Sequence, residues 1–307
     1  MATDLTTFDF TSGSDLARDL NDGLINTEDV DTLSGRDTLE GAATTTGIRN
    51  TINSTINTSR GNDSIIGNSV FSGVEIGDGI ENSGTINTDR GDDSITGSGS
   101  FNNGINNSGT IDTGRGDDSI AGSSSGAGIS NDGKIDTGVG KDVITGDGRG
   151  SGIFNEGTID TGRGDDSIAG SSFSGSGIFN EGTIDTGEEN DSITGSSFVG
   201  SGIDNYSTID TGGGNDRLTG DGFDEFSDFS GGGEIDLGTG DDTITGFGEQ
   251  TVFGGDGLDT AVFEFDSSTV TFGSGANNST EVTYDGTTMT FFEVEQFVFD
   301  NGTFTVS

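Results

Sequence analysis

Three short apolar phrases recur along the chain at intervals of about 25 residues. In each phrase, TI(D/N)T, DSI or GIxN, one large apolar residue stands among polar ones, so alternate side chains face opposite sides of a strand. The links between phrases are Gly-rich and too short for crossover helices. The apolar positions form three columns: Ile56, Ile86, Ile111, Ile135, Ile159, Ile184, Ile209 and Ile235; Leu39, Ile65, Ile95, Ile120, Ile144, Ile168, Ile193, Leu218 and Ile244; and Ile48, Ile80, Ile105, Ile129, Ile153, Ile178, Ile203 and Phe229.

This pattern predicts an all-β fold, a parallel β-solenoid of the β-helix or β-roll type. Each turn of about 24–25 residues carries three short strands, which pair in parallel with their copies in neighbouring turns. One turn alone buries almost nothing, whereas stacked turns share one continuous core. Nine or ten turns make a rod of about 45 Å. We expect an N-terminal cap over residues 1–32, the repeats over 33–263 and a β-rich C-terminal cap over 264–307.

Other positions recur in register with these columns. An Asn column is expected to form a hydrogen-bonded ladder, interrupted only at Gly231; its members are Asn82, Asn107, Asn131, Asn155, Asn180 and Asn205. A second set favours packing at a corner over an exposed contact surface; its members are Phe71, Phe101, Ser125, Arg149, Phe173, Phe198 and Phe223. Near the N-terminus, SDLARDLNDGL predicts a short helix with Ser14 as its N-cap.

Composition restricts the chemistry. The 307 residues include 58 Gly and no Pro, Cys or His, and 54 acidic residues against 11 basic ones give a formal charge of −43. This charge excludes nucleic-acid binding by phosphate neutralisation and opposes adsorption to anionic membranes. Because Cys and His are absent, any metal must have oxygen ligands, which favours calcium.

The first residues, MATDLTTFDFTSGSDL, contain no basic segment followed by an apolar run, and no stretch is long enough to span a membrane. We therefore expect no membrane insertion. Export, if it occurs, is expected to follow a route without an N-terminal signal.

An acidic loop lies between the first two phrases of each repeat, with the pattern G-x-G-x-D-x-I. One copy contains Gly114, Gly116, Asp118 and Ile120, and residues 254–262, GGDGLDTAV, follow the nonapeptide G-G-x-G-x-D-x-U-x except at Ala261. The chain therefore resembles the RTX, or haemolysin-type calcium-binding, repeat family over residues 33–263. One such loop per turn, instead of two nonapeptides per 18 residues, makes a single calcium column the expectation.

That resemblance implies Ca²⁺ between successive turns, bound by loop carbonyls and the motif aspartate, with glycines that let the backbone turn toward the ion. The residues implicated are Asp37, Asp63, Gly91, Asp93, Gly114, Gly116, Asp118, Gly138, Gly140, Asp142, Gly162, Gly164, Asp166, Asp191, Gly212, Gly214, Asp216, Gly238, Gly240, Asp242, Gly255, Gly257 and Asp259. Charges one strand apart repel by about 1 kcal/mol in water and about 3–4 kcal/mol at an effective dielectric of 20. The alternative is a solvated acidic edge that only attracts counterions.

The last third differs from the repeats. Thirteen of the 21 Phe lie from Phe223 onward, and the phrases TAVFEF, TEVTY and MTFFEVEQFVF alternate as strands do. The run FFEVEQFVFDNGTFTV resembles the terminal segment of type I-secreted RTX proteins, where the export signal is C-terminal. This resemblance implies an extracellular or surface-associated protein.

These observations favour a secreted calcium-binding structural protein of a matrix, sheath or surface layer. It is expected to self-associate head to tail or laterally, with cell-surface polysaccharide as a further candidate partner, and not to be an enzyme. The alternatives are an adhesin, or a β-helix polysaccharide lyase or epimerase using Lys134, Lys141 and Arg149. The regular Thr array expected for ice binding is interrupted at Lys134 and Glu234. The RGD strings follow from the repeat and predict no integrin binding.

Overall fold

The computed structural model describes residues 1–70, 77–223 and 227–306 and shows a parallel β-solenoid built from three sheets. The N-terminal strands are β1 (Thr3–Asp4), β2 (Leu16–Asp19), β3 (Leu24–Asn26) and β4 (Val30–Asp31). The repeats supply β5 (Thr38–Ala43), β6 (Ile48–Asn50), β7 (Thr55–Asn57), β8 (Ser64–Ser69), β9 (Ile80–Asn82), β10 (Thr85–Asn87), β11 (Ser94–Ser98), β12 (Ile105–Asn107), β13 (Thr110–Asp112), β14 (Ser119–Ser124), β15 (Ile129–Asn131), β16 (Lys134–Asp136), β17 (Val143–Gly148), β18 (Ile153–Asn155), β19 (Thr158–Asp160), β20 (Ser167–Ser172), β21 (Ile178–Asn180), β22 (Thr183–Asp185), β23 (Ser192–Ser197), β24 (Ile203–Asn205), β25 (Thr208–Asp210), β26 (Arg217–Asp221), β27 (Phe229–Ser230), β28 (Glu234–Asp236) and β29 (Thr243–Thr245). The C-terminal strands are β30 (Thr251–Phe253), β31 (Thr260–Val262), β32 (Thr271–Ser274), β33 (Thr280–Tyr284), β34 (Thr287–Phe292), β35 (Gln296–Phe299) and β36 (Gly302–Thr305). Three short 3-10 helices are Leu5–Thr7, Ser267–Thr269 and Ala276–Asn278.

Each of the three predicted phrases forms one sheet along the rod. Sheet A has the order β1-β3-β6-β9-β12-β15-β18-β21-β24-β27, and sheet B has the order β2-β5-β8-β11-β14-β17-β20-β23-β26-β29-β31-β35-β36. Sheet C has the order β32-β33-β34-β30-β28-β25-β22-β19-β16-β13-β10-β7-β4. Equivalent isoleucines pair in register, as Ile86 does with Ile111 and Ile95 with Ile120. The predicted fold class is therefore confirmed.

The three apolar columns form the core. Every one of their Leu and Ile side chains is fully buried, and Phe229 is 1% exposed. Burying one such side chain contributes about 1.5–3 kcal/mol, so three per turn stabilise the stack only when neighbouring turns cover both sides.

Glycine is required where the end of sheet B approaches the start of sheet A. A Cβ on Gly122 would lie 2.1 Å from the carbonyl oxygen of Gly128, and one on Gly128 would lie 2.3 Å from the backbone nitrogen of Asp147. The two backbones therefore touch at this corner, which leaves no space for a side chain between them.

The predicted Asn ladder is confirmed. Each side chain is fully buried and donates from Nδ2 to Oδ1 of the next Asn, at 2.7 to 2.9 Å. The ladder begins earlier than predicted, with Asn26 and Asn50. At its other end, where Gly231 interrupts the Asn series, the amide of Gln250 bonds with Asn205. A side chain from a later turn thus closes the ladder.

The predicted helix after Ser14 is wrong. Leu16–Asp19 is strand β2, and its Ala17 is fully buried opposite Leu39 of β5. Pairing with an existing sheet outweighs a weak local helix preference, as tertiary contacts commonly do. The Ser14 hydroxyl instead accepts a hydrogen bond from the Arg36 N–H at 3.3 Å.

The expected corner packing of the Phe-containing column is also wrong. Phe101, Phe173, Phe198 and Phe223 are 50 to 66% exposed. The core at this corner is already filled by the glycine contact, so the rings project outward. Phe71 lies outside the described residues.

At the C-terminal end the strand direction changes. Strands β32, β33 and β34 pair antiparallel, and so do β35 and β36. Large rings fill the core where isoleucines end, among them Phe247, Phe263, Phe291 and Phe297, all at most 2% exposed. Over the described ranges, no helix is long and apolar enough to cross a membrane.

Candidate metal centre

The loops between sheet C and sheet B stack on one another without side chains in between. All the glycines implicated there by the motif have left-handed φ, between 80° and 154°. A Cβ on Gly116 would lie 1.6 Å from the Gly91 carbonyl oxygen, and one on Gly214 would lie 1.9 Å from that of Glu189. Close backbone stacking therefore favours glycine at this second motif position, and Glu189 is the exception, with a left-handed φ of 79°.

The motif aspartates form a buried column inside this stack, which we call the inner Asp column. Their exposure is at most 3%, and they are Asp37, Asp63, Asp93, Asp118, Asp142, Asp166, Asp191, Asp216, Asp242 and Asp259. Oδ1 of each accepts the backbone N–H of the equivalent residue one turn earlier, at 2.7 to 2.9 Å. Glu295 ends the column by accepting the Asp259 N–H at 2.9 Å.

A second ladder, which the sequence reasoning missed, lies beside it at the preceding residue of each loop. The N–H of Lys141 donates to Oδ1 of Asp117 at 2.9 Å, and the N–H of Asp117 donates to Oδ1 of Asp92 at 3.1 Å. Asn190, Asn215 and Asp241 continue the same pattern. This outer Asx ladder is exposed, and aligning the residue before each motif aspartate would have revealed it.

The inner column leaves one oxygen of almost every carboxyl group unsatisfied. Oδ2 is inaccessible to solvent and accepts no hydrogen bond in nine aspartates: Asp63, Asp93, Asp118, Asp142, Asp166, Asp191, Asp216, Asp242 and Asp259. At Asp37 the Thr32 hydroxyl donates to Oδ2 at 2.6 Å. A buried carboxylate oxygen without a partner is costly, and nine in register require a common explanation.

Burial raises the pKa of the nine carboxyl groups whose Oδ2 has no partner. The pKa of Asp118 rises to about 8, because desolvation outweighs the hydrogen bond from the Asp93 N–H. The Thr113 hydroxyl lies beside this carboxyl and lowers its pKa, while its hydrogen bond in the structure runs to the Thr137 carbonyl at 3.3 Å. Desolvation likewise raises the pKa of Asp166 to about 7. A divalent cation beside the column would reverse this effect by favouring the ionised form.

The residues fit an oxygen-binding cation. The unsatisfied Oδ2 atoms are hard anionic ligands, and the stacked Gly-containing loops place backbone carbonyls along the same column. In the described part of the chain, no three acidic side chains converge on one point. Any ion would therefore be held by inner-column carboxylates together with backbone carbonyls, and the residues that would hold it are those nine aspartates and their loops.

The arginines of the RGD strings lie at the exposed apex of this loop. Arg90 and Arg115 pair in register through an isolated backbone bridge, and Arg163 forms an ion pair with Glu188 at 2.8 Å. The RGD strings are therefore parts of a stacked loop, in which Gly completes the backbone contact and each Asp belongs to the outer ladder.

The basic residues of the enzyme alternative lie apart. Lys134 is on the outer face of sheet C, where its ammonium group contacts Asp136 at 2.6 Å and Asp160 at 3.6 Å. Lys141 belongs to the loop between sheets C and B, and Arg149 to the corner between sheets B and A. They occupy three sides of one turn and do not form a common site.

The fold and this loop define a class of protein: a parallel β-solenoid with a buried aspartate column. No family model and no curated protein matches the chain, so membership in the RTX family stays a prediction. The chain is similar to a crystal structure described as a hyperactive, Ca²⁺-dependent, beta-helical antifreeze protein from an Antarctic bacterium. The identity is 18% over 98% of this chain and 99% of that chain, with a TM-score of 0.46. Neither calcium binding nor ice binding is transferred to this chain from that likeness.

Proposed function

We propose that this protein is a calcium-stabilised rod that serves a structural role outside the cell, in a matrix, sheath or surface layer. The observation that carries the proposal is the set of nine buried, unpartnered carboxylate oxygens in register. Cations between turns would satisfy these oxygens and remove the repulsion along the column.

The chemistry of the proposed ion supports an extracellular setting. A site with few carboxylates per ion is expected to bind calcium weakly, with a Kd on the order of 10⁻⁴–10⁻³ M, as extracellular modules do. Such a rod would be incompletely stabilised at low cytosolic calcium and fully assembled outside. The scattered positions of Lys134, Lys141 and Arg149 support a structural role over a catalytic one.

Thermal unfolding and far-UV circular dichroism across a calcium titration test this proposal. We expect a lower Tm and a weaker β signal in EGTA, and a Tm that rises with each tenfold increase in calcium. Each independent site contributes about 2.7 kcal/mol when calcium is at 100 times its Kd. Magnesium should be a poor substitute because it requires a rigid octahedral site with short bonds. Identical unfolding curves in EGTA and in millimolar calcium would refute calcium binding.

A further inference from the structure

One side of the rod carries almost no charge in a chain with a formal charge of −43. On the outer face of sheet B from β11 to β23, the outward residues are Ser, Thr, Ala and Val, with Asp147 the one charged side chain. In the corner loops that follow these strands, up to residue 202, the one charged residue is Arg149. We call this surface, strands β11 to β23 with their corner loops, the neutral face.

Exposed aromatic rings border the neutral face. Phe101, Phe173 and Phe198 are 53%, 50% and 66% exposed, and Val199 beside them is 51% exposed. The rings of Phe173 and Phe198 stack at 5.4 Å, and the Arg149 guanidinium lies 5.5 Å from the centre of the Phe173 ring. Apolar rings in this number on a strongly charged protein indicate a contact surface.

The column of rings is interrupted at two consecutive turns, which carry Ser125 and Arg149 instead. At the turn of Ser125 no ring is present, and a shallow notch forms between Phe101 and Phe173. The notch is lined by Ser123, Ser124, Ser125, Asp147, Arg149 and Phe173. Phe101 and Phe198 each lie two turns from Arg149, on opposite sides of it. One turn from Arg149, Phe173 lies on one side and the notch at Ser125 on the other.

This sequence of rings is self-complementary about the turn of β17. We propose that the neutral face is the interface of a side-by-side dimer, in which a second copy runs antiparallel about a two-fold axis at β17. The axis brings Phe173 of each copy to the notch of the other and Phe101 opposite Phe198. It also lets each Arg149 reach the Asp147 of the second copy, so the two charges of the face are paired, as isologous interfaces require.

Charge and ring geometry favour a second copy over other occupants. Two copies repel through every acidic side but can approach along the neutral face. A basic partner would find one acidic group here, and a sugar would find the Phe173 ring already flanked by Phe198 and by Arg149. Antiparallel strands at the C-terminal end interrupt the parallel register, which also favours lateral over end-to-end association.

The size of the face predicts a weak dimer. Five strands about 20 Å long at about 4.8 Å spacing give a footprint of about 500 Å², to which the rings add. A standard stable interface buries about 800 Å² per partner. The mass of the full chain should therefore be measured by sedimentation from about 1 µM to 1 mM, with and without calcium, at about 0.15 M ionic strength.

Charge exchange tests the contacts. We expect the 31.1 kDa chain to reach twice that mass at high concentration. Asp147→Arg places like charges together and should raise the dimer Kd about 10- to 100-fold, whereas the double variant Asp147→Arg with Arg149→Asp should restore it. Glu181→Arg, an equal charge change on the turn after β21, should leave the Kd unchanged. A chain that stays monomeric at every concentration would overturn the inference.

Because the chain contains no cysteine, single introduced thiols report the orientation. Thr145→Cys on β17 lies at the proposed axis and should form a disulfide-linked dimer on mild oxidation, whereas Thr158→Cys on sheet C should not. Dimerisation that is captured equally by both thiols, or is unchanged in Asp147→Arg, assigns association to another face and refutes this interface. A monomer whose Tm still rises with calcium refutes the dimer alone, and a dimer insensitive to calcium refutes calcium binding alone.

Discussion

The substitution Asp118→Asn separates the two roles that the inner Asp column can have. An asparagine can keep Oδ1 as acceptor for the Asp93 N–H, now at 2.7 Å, and its own N–H still donates to Asp142. What changes is the charge and the atom at the unpartnered Oδ2 position. The variant therefore preserves the backbone ladder while it removes one anionic cation ligand.

Without calcium the substitution should be stabilising. The pKa of Asp118 is raised to about 8 by burial, so at pH 7 the folded chain holds a proton that the unfolded chain releases. At pH 7 this proton uptake lowers the free energy of unfolding by at most about 4 kcal/mol, compared with a side chain that does not ionise. A tenfold difference in proton affinity between the folded and unfolded chain corresponds to about 1.4 kcal/mol. The new amide N–H₂ group has no acceptor, which destabilises the variant by about 1–3 kcal/mol and offsets part of that gain. We expect a net gain of about 1–3 kcal/mol in EGTA.

With saturating calcium the sign should reverse. Removing a carboxylate from a site weakens or abolishes that site, and a site at 100 times its Kd contributes about 2.7 kcal/mol. The variant should then lose a comparable amount of calcium-dependent stabilisation, so that its unfolding midpoint rises less with calcium than that of the wild type.

Urea unfolding followed by circular dichroism, in EGTA and in calcium, measures both effects. Asp117→Asn is the matched control, because it makes the same chemical change one residue away on the exposed outer ladder. It should alter neither the EGTA midpoint nor the calcium response by more than about 0.5 kcal/mol. If Asp118→Asn destabilises the chain equally with and without calcium, the carboxylate serves the backbone ladder and the cation reasoning is refuted.

Three further outcomes follow from the same geometry. In EGTA, the free energy of unfolding should fall as pH rises from about 4 to 8, because a carboxyl group with a raised pKa, such as Asp118, favours folding only while it stays protonated. Calcium should reverse this slope. A flat pH profile both in EGTA and in calcium would contradict this prediction. Gly214→Ala should lower the unfolding free energy by more than about 3 kcal/mol in urea melts, because its Cβ would lie 1.9 Å from the Glu189 carbonyl oxygen. Gly213→Ala should change it little, because its Cβ would meet only the Thr239 hydroxyl, at 3.0 Å. Asn131→Ala should cost about 2–4 kcal/mol by opening the buried amide ladder, and Ser130→Ala, facing outward beside it, should cost less than about 0.5 kcal/mol; equal midpoints for that pair would show that the ladder is dispensable.

The repeating core could be predicted from the sequence because period and burial agree at every turn. One isoleucine between polar neighbours, repeated at a constant interval, has few other ways to bury its surface. The Asn ladder was predictable for the same reason, since a buried amide needs a partner and its copies supply one. Gln250 was not, because it comes from an irregular turn and its place depends on the path of the chain after Ser230.

The errors fall where a local pattern has two three-dimensional outcomes. The Phe column was expected to pack because large rings usually do, but the backbone contact between Gly122 and Gly128 leaves it no space inside. The residues after Ser14 have a local helix preference, but in the structure they form a strand because they pair with sheet B. Neither outcome can be decided before the neighbouring turns are in place.

The two adjacent aspartates of the RGDD phrase show why the candidate metal column depends on assembly. In the sequence they are equivalent acidic residues, yet Asp117 is exposed and Asp118 is 1% exposed, because the strand that follows alternates inward and outward from that point. A single turn would leave Asp118 in water with both oxygens solvated. Only the turns on either side remove that water and leave Oδ2 without a partner, so the proposed cation site forms only with the stack itself. Calcium binding and solenoid assembly are therefore expected to be one cooperative process, in which each added turn creates the site that holds it.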